Sequence, residues 1–326
     1  MKHRSLLPGI YATLGLLLLI LDSKAAISSA AQGVDLCLRT VIPSLFPFFL
    51  LSGILNSSLT GIGISLLKPL GSLLGIPEGG ESLLVSAFLG GYPVGAKGVA
   101  DAWHRGALGK EDAERLLSFC SNAGPAFLFG MAAPLFEDPG KGWVLWMIHI
   151  LSAVTVGVLL GKTKQSRIHM PPNTLTDLNE ALKNALFVTA QVCGWVVIFR
   201  IFCGFCSRWF FWILPEEMQI ALTGFLELTN GCLGLTSVST EEKRFLMCSA
   251  MLSFGGVCVC LQTMSVTRGL RLRYYISGKL LQTALSLLYC AAYIHHMPFL
   301  WPVPVSLCLV GKKLAKRGGN PRPAVV

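Results

Sequence analysis

The residues with the most chemistry in this chain lie where the chain is otherwise most apolar. Glu227 stands in the stretch 219–238, inside the pentapeptide ELTNG (227–231). A carboxylate in a membrane-length apolar segment is costly and marks function by default; the alternative place for it is an interfacial hairpin tip. Three further apolar stretches are broken in a similar way, at GGYPVG (90–95), SNAGP (121–125) and SFGG (253–256). Each break combines helix-breaking Gly or Pro with hydroxyl, amide or carboxylate groups, or adjoins them. Freed half-helix N-termini offer N–H donors and a positive dipole end, which suits a small polar or carboxylate-bearing solute. The chemistry is therefore binding. The candidate contacts are Gly91, Tyr92, Pro93, Gly95, Ser121, Asn122, Gly124 and Pro125 from the first two breaks. From the second two come Glu227, Thr229, Asn230, Gly231, Ser253, Gly255 and Gly256. Lys97 and Arg200 are the candidate charge partners.

Each has a plainer alternative. Lys97 and Asp101 stand four apart and suit an exposed helical ion pair. Arg200 suits a helix end from which it snorkels, and His149 in WMIHIL suits a hydrogen-bonded packing position. His295 and His296, near a helix end, carry no signal. Cys203 and Cys206 form a C-x-x-C, but without a second pair at zinc spacing or a βαβ context, so packing is the favoured role. Small residues at a break also serve close helix packing. No nucleotide-binding, nucleophile-elbow or zinc-protease motif is present in a usable context. No catalytic residue, metal or cofactor is expected, and an enzyme is disfavoured.

The elements that must position these groups follow from composition. The chain has 326 residues, 53% hydrophobic and 13% charged, with a mean hydropathy of +0.62. So few charges cannot cover a soluble domain, and so much apolar content excludes disorder. An integral membrane protein remains. The formal charge of +10 does not indicate nucleic acid, because basic residues flank apolar runs: Lys2 and Arg4; Lys162, Lys164 and Arg167; Arg268, Arg271, Arg273 and Lys279; and Lys312, Lys313, Lys316, Arg317 and Arg322. This pattern marks cytoplasmic loops. The expected partners are a small-molecule substrate and the lipid bilayer, without nucleic acid; a homo-oligomer is left open.

The fold expected is all-α and polytopic, with about eight transmembrane helices of roughly 20 residues each plus re-entrant broken helices in two inverted repeats. The divisions are an N-terminal helix and connection (1–35), a first membrane repeat (36–160), a cytoplasmic loop (161–183), a second repeat (184–296) and a C-terminal segment with a basic tail (297–326). The N-terminal apolar run, with Ser28-Ser29-Ala30 after it, fits a cleaved signal peptide or a retained helix, and retention is favoured because downstream segments insert by themselves. Pro43 and Pro47 are expected to break or kink their segment, and 61–76 to be interfacial or re-entrant. Treating 82–99 and 219–238 as re-entrant keeps the 161–183 and 267–279 loops on one side. The segments 116–136 and 245–266 then cross in opposite directions, an arrangement that places a transport site near the midplane.

The motifs PSLFPFFLLSGIL (43–55), FLGGYPVGAKGVADAWHRGALGKEDAERLLSFCSNAGPAFLFG (88–130), FLELTNG (225–231) and LSFGGVCVCLQT (252–263) resemble the sporulation integral membrane proteins of endospore-forming bacteria that contain nucleoside-transporter gate-like domains. The resemblance spans roughly residues 36–296. Gly91, Tyr92, Pro93, Gly95, Lys97, Ser118, Phe119, Asn122, Gly124 and Pro125 match the first motif pair; Glu227, Asn230, Gly231, Ser253, Gly255 and Gly256 match the second. Gly90 and Ala123 depart from the pattern. The resemblance implies a transporter of the sporulation programme. A branch implicated in moving dipicolinic acid across the outer forespore membrane makes that acid the first candidate substrate. A nucleoside-type metabolite and a non-transporting assembly role are the alternatives.

Overall fold

The computed structural model describes residues 7–59, 64–77, 79–160 and 177–298. The basic residues expected at 2–4, at 162–167 and in the tail beyond 298 lie outside them. Within the described residues the secondary structure is helical throughout. The helices are α1 (Leu7–Leu21), α2 (Ser23–Leu36), α3 (Ile42–Leu59), α4 (Lys68–Leu73), α5 (Ser82–Leu89), α6 (Val94–His104), α7 (Lys110–Leu116), α8 (Pro125–Phe127), α9 (Gly140–Leu160), α10 (Leu178–Trp209), α11 (Glu216–Leu226), α12 (Leu228–Gly234), α13 (Glu241–Phe254), α14 (Gly256–Val266) and α15 (Arg273–Ile294).

Among the described residues, four helical stretches are long and apolar enough to cross a membrane: Ser23–Leu59, Gly140–Leu160, Leu178–Trp209 and Glu241–Val266. The first corrects the expected break at Pro43 and Pro47. α2 and α3 run on through a wide π turn, Cys37–Val41, with Pro47 inside α3. The wide turn leaves room for the ring of Pro43, which would clash in a regular helix. The division expected between 35 and 36 therefore falls inside a continuous helix, and α10 begins inside the segment expected as the 161–183 loop.

Two segments double back on themselves. A Cβ placed on Gly95 would lie 2.9 Å from the Ala87 Cα, and one on Gly98 would lie 3.6 Å from the Ser86 Cβ, so α5 and α6 form an antiparallel hairpin about residues 90–93. On Gly231 a Cβ would lie 2.2 Å from the Gly224 Cα, and on Gly234 it would lie 3.2 Å from Ile220, so α11 and α12 form a second hairpin about Glu227. These are the two segments expected to re-enter. Each is followed by an acidic helix start, Glu111 and Asp112 on α7 or Glu241 and Glu242 on α13, where negative charge suits the dipole. Each such helix is interrupted, at 117–124 or at Gly255, and a long helix follows, α9 or α15. The order of long helix, hairpin, broken helix and long helix is thus the same in both halves. α10 packs along α2 and α3, while α15 packs on α9 and α13.

Candidate functional site

Glu227 lies at the tip of the second hairpin with extended backbone (φ −146°, ψ 119°) and is the N-cap of α12. Its Oε1 accepts the Thr229 N–H at 3.0 Å and its Oε2 the Asn230 N–H at 2.7 Å. These are the second and third positions of the helix, whose donors would otherwise be orphaned. The carboxylate is 2% exposed. It occupies the place at the α12 N-terminus where a solute anion was expected.

At the corresponding tip of the first hairpin, Gly91 has φ +72°, and its backbone crosses that of Gly124. A Cβ on Gly124 would lie 2.9 Å from the Gly91 Cα, so only glycine allows the two interruptions of this half to touch. The next residue, Tyr92, reaches into the other half. Gly255, in the left-handed conformation at φ +84°, ends α13. Its N–H still bonds Met251 O, but the turn that would have taken the Leu252 carbonyl is interrupted. The Tyr92 hydroxyl donates to that carbonyl at 2.9 Å, which answers the requirement that buried backbone groups find partners.

Behind Tyr92 the polar groups continue. The Tyr92 hydroxyl accepts from Lys279 Nζ at 3.2 Å, and Lys279 also donates to Gln282 Oε1 at 2.9 Å. Gln282 Nε2 donates to Asn122 Oδ1 at 3.1 Å. Asn122 Nδ2 in turn donates to the free carbonyls of Phe119 (2.7 Å) and Ala87 (3.3 Å). His149 Nε2 accepts the Ala123 N–H at 3.1 Å, in keeping with a hydrogen-bonded packing residue. Side chains of α9 and α15 thereby hold the interruption 117–124 in shape. The hydroxyls of Ser121, Thr263 and Tyr275 are buried without a well-formed hydrogen bond, although that of Tyr275 faces the other two.

Gly91, Tyr92, Gly124, Glu227, Thr229 and Gln262 line one small pocket together with apolar Leu45, Phe49 and Val192. Its volume is about 40 Å3. That suffices for a few waters, each needing about 10–15 Å3, whereas a benzene-sized guest takes about 150 Å3. The pocket is closed to an aromatic metabolite in this conformation.

Other expected residues serve around it. Gly95, Gly231 and Gly256 allow close backbone approach; Pro93 precedes α6 and Pro125 is the first residue of α8. Asn230 accepts from Arg200 at 3.3 Å, and Ser253 is buried with no partner for its hydroxyl. Neither candidate charge partner lines the pocket. Lys97 is exposed and pairs with Asp101 at 2.7 Å, away from the pocket. Arg200 is directed to Asn230 and to Gln32 at 2.5 Å, and forms no ion pair with Glu227 among the described residues. Cys203 and Cys206 are both buried in α10.

The main residue that sequence reasoning misplaced is Lys279. It was grouped with the basic 267–279 loop, but α15 begins at Arg273 and Lys279 is 1% exposed. The usable signal was periodic: Tyr275, Lys279, Gln282 and Ser286 recur at helical spacing along one long helix and are all buried, a polar stripe facing inward.

No family model matches this chain, and no solved structure does. It is similar to "Sporulation integral membrane protein YlbJ" of Bacillus subtilis (strain 168), at 24% identity over an alignment of 313 residues that covers 79% of this chain and 75% of that protein. The similarity supports a sporulation integral membrane protein family, as the motifs implied.

Proposed function

With that family as premise, we propose that the protein is a membrane transporter for a small anionic or polar metabolite, with dipicolinic acid as its first candidate substrate during endospore formation. One observation carries the reading: both re-folded hairpins and both broken helices, from the two halves of the chain, contribute to a single pocket, whose mostly apolar wall carries Tyr92, Glu227, Thr229 and Gln262. Irregular backbone at membrane depth is tolerated where it is buried in protein or lines a cavity. Discontinuous helices around a shared pocket are how secondary transporters form substrate sites. The polar groups form capping and bridging hydrogen bonds and resemble no nucleophile–base pair, so binding and passage are proposed in place of catalysis. The closed pocket is one end of an alternating cycle, and the outer forespore membrane is the proposed location.

The test is uptake into vesicles reconstituted with the full-length protein, using labelled dipicolinate and uridine in parallel. Uptake of dipicolinate above empty vesicles supports the reading. Uptake of uridine alone moves the substrate to the nucleoside class. Absence of uptake for both, with the protein correctly inserted, favours a structural role in the sporulation membrane.

A further inference from the structure

We propose that Lys279 is the anion-binding group of this transport site, held in reserve behind Tyr92 and presented to a substrate carboxylate when Tyr92 moves aside. The inference rests on the transport reading and names the charge of its substrate. A buried ammonium is costly without compensation, and Lys279 forms no ion pair with a carboxylate among the described residues. Its hydrogen-bond partners are neutral: it donates to the Tyr92 hydroxyl and to the Gln282 amide oxygen, with the Tyr92 ring centroid 5.0 Å away.

The other charged groups near the pocket are already engaged. Glu227 caps α12, and Arg200 is bound to Asn230 and Gln32. A second observation lies on the far side of the same tyrosine. α14 starts at Gly256 with no side-chain cap, and its preceding Gly255 would bring a Cβ within 3.2 Å of the Tyr92 hydroxyl. Tyr92 thus stands between an ammonium and an uncapped helix N-terminus and is itself one of the pocket's lining residues. A carboxylate that displaced the tyrosine hydroxyl would meet positive potential from both. It would have to stay on their side of the site, because the Leu252 carbonyl at the end of α13 loses its donor when the hydroxyl leaves. Gln282 and Asn122 would keep the lysine oriented throughout.

Calorimetric titration of the purified full-length protein with pyridine-2,6-dicarboxylate and with the neutral pyridine-2,6-dicarboxamide tests the proposal. The wild type should bind the dicarboxylate at least about tenfold more tightly. Lys279→Met should weaken the dicarboxylate by about 10- to 100-fold, the range of a hydrogen bond to a charged group, and leave the diamide unchanged. Lys279→Arg should retain part of the preference. Lys279→Gln keeps a hydrogen-bonding head and replaces the methionine variant if that one fails to fold. Equal binding of both compounds by the wild type, or no binding of the dicarboxylate, overturns the proposal without any variant. So does an intact preference in a folded Lys279→Met or Lys279→Gln. Vesicle uptake separates the two claims. Undiminished dicarboxylate uptake by the Lys279 variants removes the lysine's role and keeps transport, whereas charge-selective binding without uptake removes transport and keeps the lysine's role.

Discussion

Replacing Glu227 by glutamine should loosen the first turn of α12. In the wild type the carboxylate accepts two backbone N–H groups, one with each oxygen, at 3.0 and 2.7 Å. Glutamine retains one acceptor oxygen and turns an NH2 group toward the other N–H. One charge-assisted hydrogen bond is lost, at about 1.5–3 kcal/mol, together with an interaction with the helix dipole of about 0.3–1 kcal/mol. The sum, about 2–4 kcal/mol, would raise local exchange of the Thr229 and Asn230 amides by a factor of roughly 30 to 700, since each 1.4 kcal/mol is tenfold. Hydrogen exchange by mass spectrometry on peptides spanning 227–234 reads this directly. Glu227→Asp, a favoured cap residue, should keep most of the protection. Unchanged exchange in Glu227→Gln would refute the capping argument and return the carboxylate to the role first expected of it, contact with solute or proton.

Three other expectations follow from the geometry. Tyr92→Phe removes the bond to the Leu252 carbonyl and one bond from Lys279; it should lower stability by about 1–3 kcal/mol, measured by denaturation of the purified protein, and unaltered stability would show that water or another group replaces the hydroxyl. Gly124→Ala should be destabilising by about 1–3 kcal/mol because its Cβ meets the Gly91 backbone, and Gly124→Leu should abolish uptake; normal uptake at wild-type abundance would favour a packing role for the breaks. Gln165→Cys and Arg268→Cys, each in a background without reactive native cysteines, should label from the same, cytoplasmic side, and opposite accessibility would sink the inverted-repeat topology.

The all-helical membrane architecture and the breaks in it were legible because Gly, Pro and polar residues interrupt apolar runs, and interruption is a local property. GGYPVG and ELTNG announced turns, and both became hairpin tips. The fate of the polar groups at those tips was not legible, because it depends on what another element offers. Glu227 reads as a free carboxylate in one dimension and becomes a helix cap only when Thr229 and Asn230 fold beneath it. Pro43 reads as a breaker, yet the wide turn at Cys37–Val41 absorbs it. Lys279 was assigned by its neighbours, Arg271 and Arg273, when its own period with Tyr275 and Gln282 pointed inward. Arg200 illustrates the same limit from the other side: a cation's partner is set by reach in space, so Gln32 took it, whereas the Lys97–Asp101 pair was legible in its i,i+4 spacing.

The bond from the Tyr92 hydroxyl to the Leu252 carbonyl also bears on how the chain is made. Tyr92 leaves the ribosome some 160 residues before its acceptor does, at an elongation rate of about 5–20 residues per second. For roughly 8–32 s the first hairpin must wait in the membrane with its tyrosine lacking the partner it will finally hold. A nascent chain arrested in that interval should be open to proteases and to membrane chaperones, and a first half expressed alone should be degraded unless the second half is supplied in trans.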